Sequence, residues 1–303
     1  MQPARVLLVG AAALGLAACG VASTPSAPSS ELQVVASFYP LVFAAEAVAG
    51  GHASVSNLVP EGVEPHDIEL TSGQVVKISE ADLLVFAGRG FQPALEGLAA
   101  DKGGGAVDVL AGPAGAQRSS EGEASDRGDL GEVAPDPHVW LDPTRMAAIA
   151  GVITDRLARL DAGNASRYRS NGRALRAELR ALDRRFARGL EHCAGREIVT
   201  SHDAFGYLAH RYDLTEIGIA GLDPESEPRP QRVAEVADFA RAHDVTTIFF
   251  EKLVSPRVAE TIAAEAGLRT AVLDPLESAP EDGDYFDAMT ANLESLRAAL
   301  RCE

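Results

Sequence analysis

The stretch Leu175-Arg176-Ala177-Glu178-Leu179-Arg180-Ala181-Leu182-Asp183-Arg184-Arg185-Phe186 lies at the heart of a long amphipathic helix, and that helix divides the chain. Its larger apolar residues are Tyr168, Leu175, Leu179, Leu182, Phe186 and Leu190. Steps of three, four and seven put them on one stripe, which predicts a single helix over about 165–190. A helix of that length acts as a strut between the parts of the protein on either side. A second helix over 143–160 precedes it, separated by the breaker Asp161-Ala162-Gly163-Asn164. Arginines fill much of the strut's remaining surface, and residues 156–196 hold eleven arginines against four acids. Docking to an acidic partner would account for them. A solvated face laced with i,i+4 ion pairs is the simpler expectation.

Working outward from the strut, short β-branched runs alternate with helical segments on both sides. Before it, strands are expected at Gln33–Ser37, Ser54–Val59, Leu83–Phe86 and Val107–Leu110, with helices near 41–49, 72–80 and 92–100. After it, strands are expected at Glu197–Thr200, Leu214–Ile219, Thr246–Phe250 and Thr270–Leu273, with helices near 204–211, 230–242, 256–266 and 285–300. Strand–helix alternation means parallel sheets with helices on their faces. The expected fold is therefore α/β, with two four-stranded parallel-sheet lobes joined by a long rigid helix. The expected boundaries are 31–162 for the first lobe, 163–192 for the linker helix and 193–303 for the second lobe.

The chain of 303 residues opens Met1-Gln2-Pro3-Ala4-Arg5, then runs through thirteen small or apolar residues, Val6 to Ala18, to Cys19. One positive charge before a short apolar run reads as a secretory signal, too short to span a bilayer. Leu16-Ala17-Ala18-Cys19-Gly20 resembles a bacterial lipobox, so residues 1–18 are expected to be a lipoprotein signal peptide and Cys19 the lipidated end. Residues 19–30, rich in Ser, Ala and Pro, are expected to be a flexible tether. The net charge of −17 and pI near 4.8 argue against nucleic-acid backbone binding, which needs a basic surface. With aromatic residues at 5% and Trp140 the sole tryptophan, stacking pockets for sugars are disfavoured. No P-loop, dinucleotide fingerprint, HExxH or CxxC is present, so any site must be assembled from distant segments.

Ligands of open α/β sheets bind beyond the carboxyl ends of the strands. His202, Glu251 and Asp274 each follow a second-lobe strand, His66 follows the second strand of the first lobe, and His138 sits in the stiff segment Pro135-Asp136-Pro137-His138. The other four histidines, His52, His192, His210 and His243, look like helix-end or surface positions. Spacing alone leaves open whether the placed residues form a site.

The segments Ala36-Ser37-Phe38-Tyr39-Pro40, Glu64-Pro65-His66-Asp67, Asp136-Pro137-His138-Val139-Trp140-Leu141-Asp142-Pro143, Ser201-His202-Asp203-Ala204-Phe205-Gly206-Tyr207, Pro224-Glu225-Ser226-Glu227-Pro228 and Val272-Leu273-Asp274-Pro275-Leu276 together resemble the metal-binding lipoproteins of zinc and manganese ABC transporters, the cluster A-I or ZnuA-like family. The resemblance implies metal held between two lobes by His66, His138, His202 and Asp274. Three imidazoles and a carboxylate suit tetrahedral Zn²⁺. Manganese members usually carry a carboxylate where this chain has His202, so zinc is the expected cargo and Mn²⁺ the lesser choice.

The implied function is an extracytoplasmic Zn²⁺-binding protein, not an enzyme. It would work as a monomer, held by its lipid on the outer face of the bacterial cell membrane, and deliver metal to the ABC permease of a zinc uptake system. The alternatives are a manganese or iron receptor of the same fold, and a zinc-dependent hydrolase with Glu251 as its base; Glu251 reads better as a supporting residue behind the ligands. Residues 112–136 form a long acidic loop without the histidines that many zinc-specific members carry there, and a weakly cation-attracting flap is expected. Export also permits disulfides, and a Cys193–Cys302 bond would pin the last helix to the start of its lobe; two buried free thiols are the alternative.

Overall fold

A computed structural model describes residues 31–66, 68–112, 114–115 and 136–303. The expected signal peptide, tether and Cys19 lie outside the described residues, as does most of the 112–136 loop. Residues Glu31–Glu303 form one compact unit.

The first sheet contains β1 (Leu32–Ala36), β2 (Ala53–Asn57), β3 (Leu83–Phe86) and β4 (Ala106–Asp108). All pairs are parallel, in the order β2-β1-β3-β4. Helices α1 (Tyr39–Ala49), α2 (Ser72–Glu80) and α3 (Pro93–Lys102) connect them. The strands are buried on both faces: Val34, Ala36, Leu83 and Val85 enter the large central core, while Val35, Leu84 and Phe86 enter a smaller cluster on the other side. Such two-sided burial is why these strands read as continuous apolar runs. β4 ends earlier than the run Val107–Leu110 predicts, because Asp108 Oδ1 accepts from Gly88 N at 2.9 Å and from Leu110 N at 2.8 Å and turns the chain.

Helices α4 (Pro143–Leu160) and α5 (Ala165–Gly189) follow. Pro143 at the first turn and the Asp142 side chain, which accepts from Thr144 N at 2.7 Å, start α4 where the sequence predicts. On α5, Tyr168, Leu175, Leu179, Leu182 and Phe186 are buried, as the stripe requires. Gly172 lets α5 close on α4, since a Cβ there would sit 3.0 Å from the Cβ and Cγ2 of Thr154. The i,i+4 ion pairs expected along α5 are absent among the described residues. The helix has only two acids. The i±4 neighbours of Glu178 are Ala174 and Leu182, those of Asp183 are Leu179 and Ala187, and Asp183 instead binds Arg211 at 2.9 Å.

The second sheet repeats the first. It contains β5 (Glu197–Thr200), β6 (Thr215–Gly218), β7 (Thr247–Phe250) and β8 (Arg269–Val272), all parallel, in the order β6-β5-β7-β8. Helices α6 (Gly206–Arg211), α7 (Pro230–Ala242) and α8 (Arg257–Ala266) connect them, and α9 (Tyr285–Leu300) closes the chain. A Cys193–Cys302 disulfide ties the segment before β5 to the end of α9, reinforced by Gly195 N donating to Leu300 O at 3.1 Å.

One hydrophobic core runs through both sheets' inner faces, α5 and α9. Both ends of α5 lie at the amino ends of the strands. Tyr168 Oη donates to the carbonyl of His52, next to the start of β2, at 2.8 Å. At the other end Arg196, just before β5, donates to Leu190 O at 2.9 Å. The carboxyl ends of all eight strands therefore point away from the floor that α5 spans.

Candidate metal centre

Beyond those carboxyl ends, segments of both lobes meet. His66, His138, His202 and Glu277 bring four ligand atoms within 4.8 Å of one another. Glu277 Oε1 lies 3.1 Å from His66 Nε2, 3.2 Å from His138 Nε2 and 3.9 Å from His202 Nε2. The His138 and His202 Nε2 atoms are 3.4 Å apart. A tetrahedral zinc ion with ~2.0–2.1 Å bonds separates its ligand atoms by roughly 3.3 Å, so the spacing fits such an ion.

Asp274, the carboxylate expected here, is not in the group. Its Oδ1 accepts from Leu276 N at 2.8 Å, Lys252 Nζ stands 3.6 Å from its Oδ2, and its own backbone is held by Asn292. Asp274 folds a turn, with Leu276 in the left-handed region at φ 57°, and the turn delivers Glu277 to the histidines. The residue directly after a strand points to its end; an Asp-Pro-x-Glu turn carries the chain past it. The pattern Asp274-Pro275-Leu276-Glu277 held that signal, since Asp followed by Pro marks a turn and Glu277 is the next acid.

The approach of each histidine has a local cause. His138 follows Pro137 and is fully buried; its backbone N and its Nδ1 contact Asp136 Oδ1 at 2.9 and 2.8 Å. His202 follows β5, and its Nδ1 contacts Glu251 Oε1 at 2.7 Å, an oxygen that also accepts from Ser201 Oγ at 2.6 Å. Each carboxylate accepts a hydrogen bond from Nδ1–H and so turns Nε2 towards the cluster, as the nitrogen a metal would bind once its proton is lost. Glu251, the residue the sequence places directly after β7, stands at His202, and Asp136, two residues before His138 in the Pro135-Asp136-Pro137-His138 segment, stands at His138. His66 has no such carboxylate on Nδ1 among the described residues. Its loop is held by Gln92 Nε2, which reaches Pro65 O at 3.4 Å, and its ring meets the edge of Phe91 at 4.5 Å. It is also the most open of the three, at 12% side-chain exposure against 0% for His138 and 1% for His202.

The electrostatics call for a cation. Glu64, Glu251 and Glu277 each bury an Oε2 atom that has no hydrogen-bond partner among the described residues. Burial works against a charge on His138, yet hydrogen bonds to Asp136 and Glu277 outweigh it and push its pKa up to about 10. Burial would likewise raise Glu277, but His138 and His66 hold it well below the usual carboxylate range. Burial lowers His66, and burial together with the charge of Glu277 raises Glu64. A buried carboxylate facing three imidazoles is satisfied by one proton, or better by one divalent ion. Phe91 and Trp140 wall the site, with Trp140 5.2 Å from the His138 ring, and Phe38 packs against both of them.

The family model described as the zinc-uptake complex component A, periplasmic, ZnuA, matches residues 34–299. The high-affinity zinc uptake system protein ZnuA of Bacillus subtilis is 34% identical over 97% of this chain and 97% of its own. The zinc-binding lipoprotein AdcA of Streptococcus pneumoniae is 33% identical over 98% of this chain, which spans 61% of AdcA's length. The crystal structure of the Zn(II)-bound ZnuA-like domain of that AdcA superposes with a TM-score of 0.73 at 30% identity, covering 89% of this chain and 99% of that one. With a family match over nearly the whole described structure and a relative a third identical from end to end, the chain belongs to the ZnuA family.

Proposed function

We propose that the protein captures Zn²⁺ outside the cytoplasm and delivers it to an ABC-type permease, with His66, His138, His202 and Glu277 as the ligands. The observation that carries this is the meeting of three Nε2 atoms and one carboxylate oxygen within 4.8 Å, where segments of both lobes converge. Three nitrogens and one oxygen suit zinc, whereas manganese favours oxygen-rich, higher-coordinate sites. The names of the Bacillus and Streptococcus relatives support the same cargo.

A carrier explains the site better than a hydrolase does. Catalytic zinc keeps one position open for water and sets a base beside it. Glu277 fills the fourth position here, and Glu251 is engaged by His202 and Ser201. Release then requires the ligands of one lobe to move from those of the other, a task for the permease. The named lipoprotein relatives support an anchor at Cys19, and the closed, self-contained core supports a monomer.

Titration of residues 31–303 with zinc tests the reading. One equivalent should bind, excess Mn²⁺ should fail to displace it, and His202→Ala should weaken binding by at least about a hundredfold, the order expected when a ligand itself is lost. Absence of stoichiometric binding, or unchanged affinity in His202→Ala, would remove the proposal.

A further inference from the structure

Arg169, Arg173, Arg180, Arg184 and Arg188 are exposed and follow one another at steps of four and seven, so they form one stripe along α5. None of the five makes an ion pair or hydrogen bond among the described residues. Arg169 with Arg173, Arg180 with Arg184, and Arg184 with Arg188 are like charges at i,i+4, an arrangement that destabilises an isolated helix. The helix dipole favours positive charge only in the last turn, so it accounts for Arg188 and not for Arg169, Arg173 or Arg180. Of the acids on the helix, Glu178 lies off the stripe, and Asp183, three positions after Arg180, is engaged by Arg211. This basic line sits on a chain of net charge −17.

We propose that this stripe docks the protein on a bilayer surface rich in anionic phospholipid, with the metal centre facing away from the membrane. Guanidinium groups pair with phosphate oxygens bidentately, and juxtamembrane basic residues add attraction one by one. Acids more than ~8 Å from the stripe do not cancel it, because charges at that range are screened at physiological salt.

The placement of α5 supports the same orientation. It spans the amino ends of both sheets, while the four metal-ligating atoms lie beyond the carboxyl ends. The described chain also begins on that floor: Leu32 pairs with Ala53, beside the His52 carbonyl that Tyr168 binds. Cys19 lies twelve positions before Glu31, a reach of roughly 40 Å when extended. With Cys19 as anchor, docking on the stripe is a resting state that delivery to the permease must release. That last step depends on the anchor and delivery readings; the affinity of the stripe for lipid does not.

Co-sedimentation of residues 31–303 with vesicles of equal parts phosphatidylglycerol and phosphatidylcholine tests the proposal. The protein should pellet with these vesicles at low salt, be released at high salt, and ignore pure phosphatidylcholine. Combining Arg173→Glu, Arg180→Glu and Arg184→Glu should weaken vesicle binding by about a hundredfold while leaving zinc titration unchanged, which reports that the variant folds. The matching triple Lys variant should bind vesicles nearly as the parent does. A parent protein that fails to pellet with the anionic vesicles would overturn the proposal, as would a folded Glu variant that binds them equally well.

Discussion

The indole nitrogen of Trp140 donates to the carbonyl of Pro275 at 2.7 Å, joining a residue two positions after His138 to a residue two positions before Glu277. The clustered side chains of the two lobes are thus tied together by protein alone. Tyr285 Oη, which donates to the Trp140 carbonyl at 2.6 Å, fixes the same segment from the second lobe. Trp140→Phe removes the indole donor and leaves a buried carbonyl unpaired, which should cost about 1–3 kcal/mol in urea unfolding of the metal-free protein. It should also speed zinc dissociation measured with a chelator. An unchanged dissociation rate would mean the bond does not hold the site closed.

Glu251 meets the clustered side chains through His202 Nδ1. Glu251→Gln keeps the shape and removes the charge that sets the ring's tautomer and basicity. Supporting partners of this kind typically contribute 10–100-fold to metal affinity, and a loss in that range is expected by competition with a zinc chelator. The melting temperature of the metal-free variant should fall little by comparison; a large fall with unchanged affinity would assign Glu251 to the fold instead.

His138 sets the pH response. Its pKa in the metal-free protein is raised to about 10, above the ordinary imidazole value near 6.5. The His138–Glu277 pair therefore stabilises the metal-free fold fully below about 6.5, and that contribution is lost as pH rises through about 10. Zinc affinity has the opposite sign, because the metal needs the neutral ring: it should rise with pH across the same window. Calorimetry at pH 7.5 in buffers of different ionisation enthalpy should show about one proton released per zinc bound. Binding without proton release would contradict this protonation state.

The Cys193–Cys302 bond closes a loop over a sequence separation of 109, before the amino end of β5, whereas the clustered side chains lie beyond the strands' carboxyl ends. Replacing both cysteines by serine should destabilise the fold by about 2–5 kcal/mol and leave zinc affinity within a fewfold of the parent. A large affinity loss would place the disulfide in the metal site's support.

All eight strands and the strut were legible because each has a clear period or run: Leu83–Phe86 is apolar throughout, and the Tyr168-to-Leu190 stripe repeats every turn. Three of the four clustered side chains were legible as well, through segments such as Asp136-Pro137-His138 and Ser201-His202. Glu277 was not. Its placement depends on Asp274 spending its carboxylate on Leu276 N and on Leu276 taking a left-handed conformation, neither of which a strand-end rule encodes. The unpaired arginines of α5 were legible in hindsight, because the i±4 neighbours of Glu178 and Asp183 are all uncharged.

The central claim is that zinc is held by His66, His138, His202 and Glu277, and a crystal structure of the zinc-loaded protein with anomalous scattering at the zinc edge tests it most directly. The account predicts one zinc peak, with the three Nε2 atoms and a Glu277 oxygen at ~2.0–2.2 Å in a tetrahedral arrangement. A zinc ion bound by Asp274 in place of Glu277, or bound elsewhere in the molecule, would contradict it.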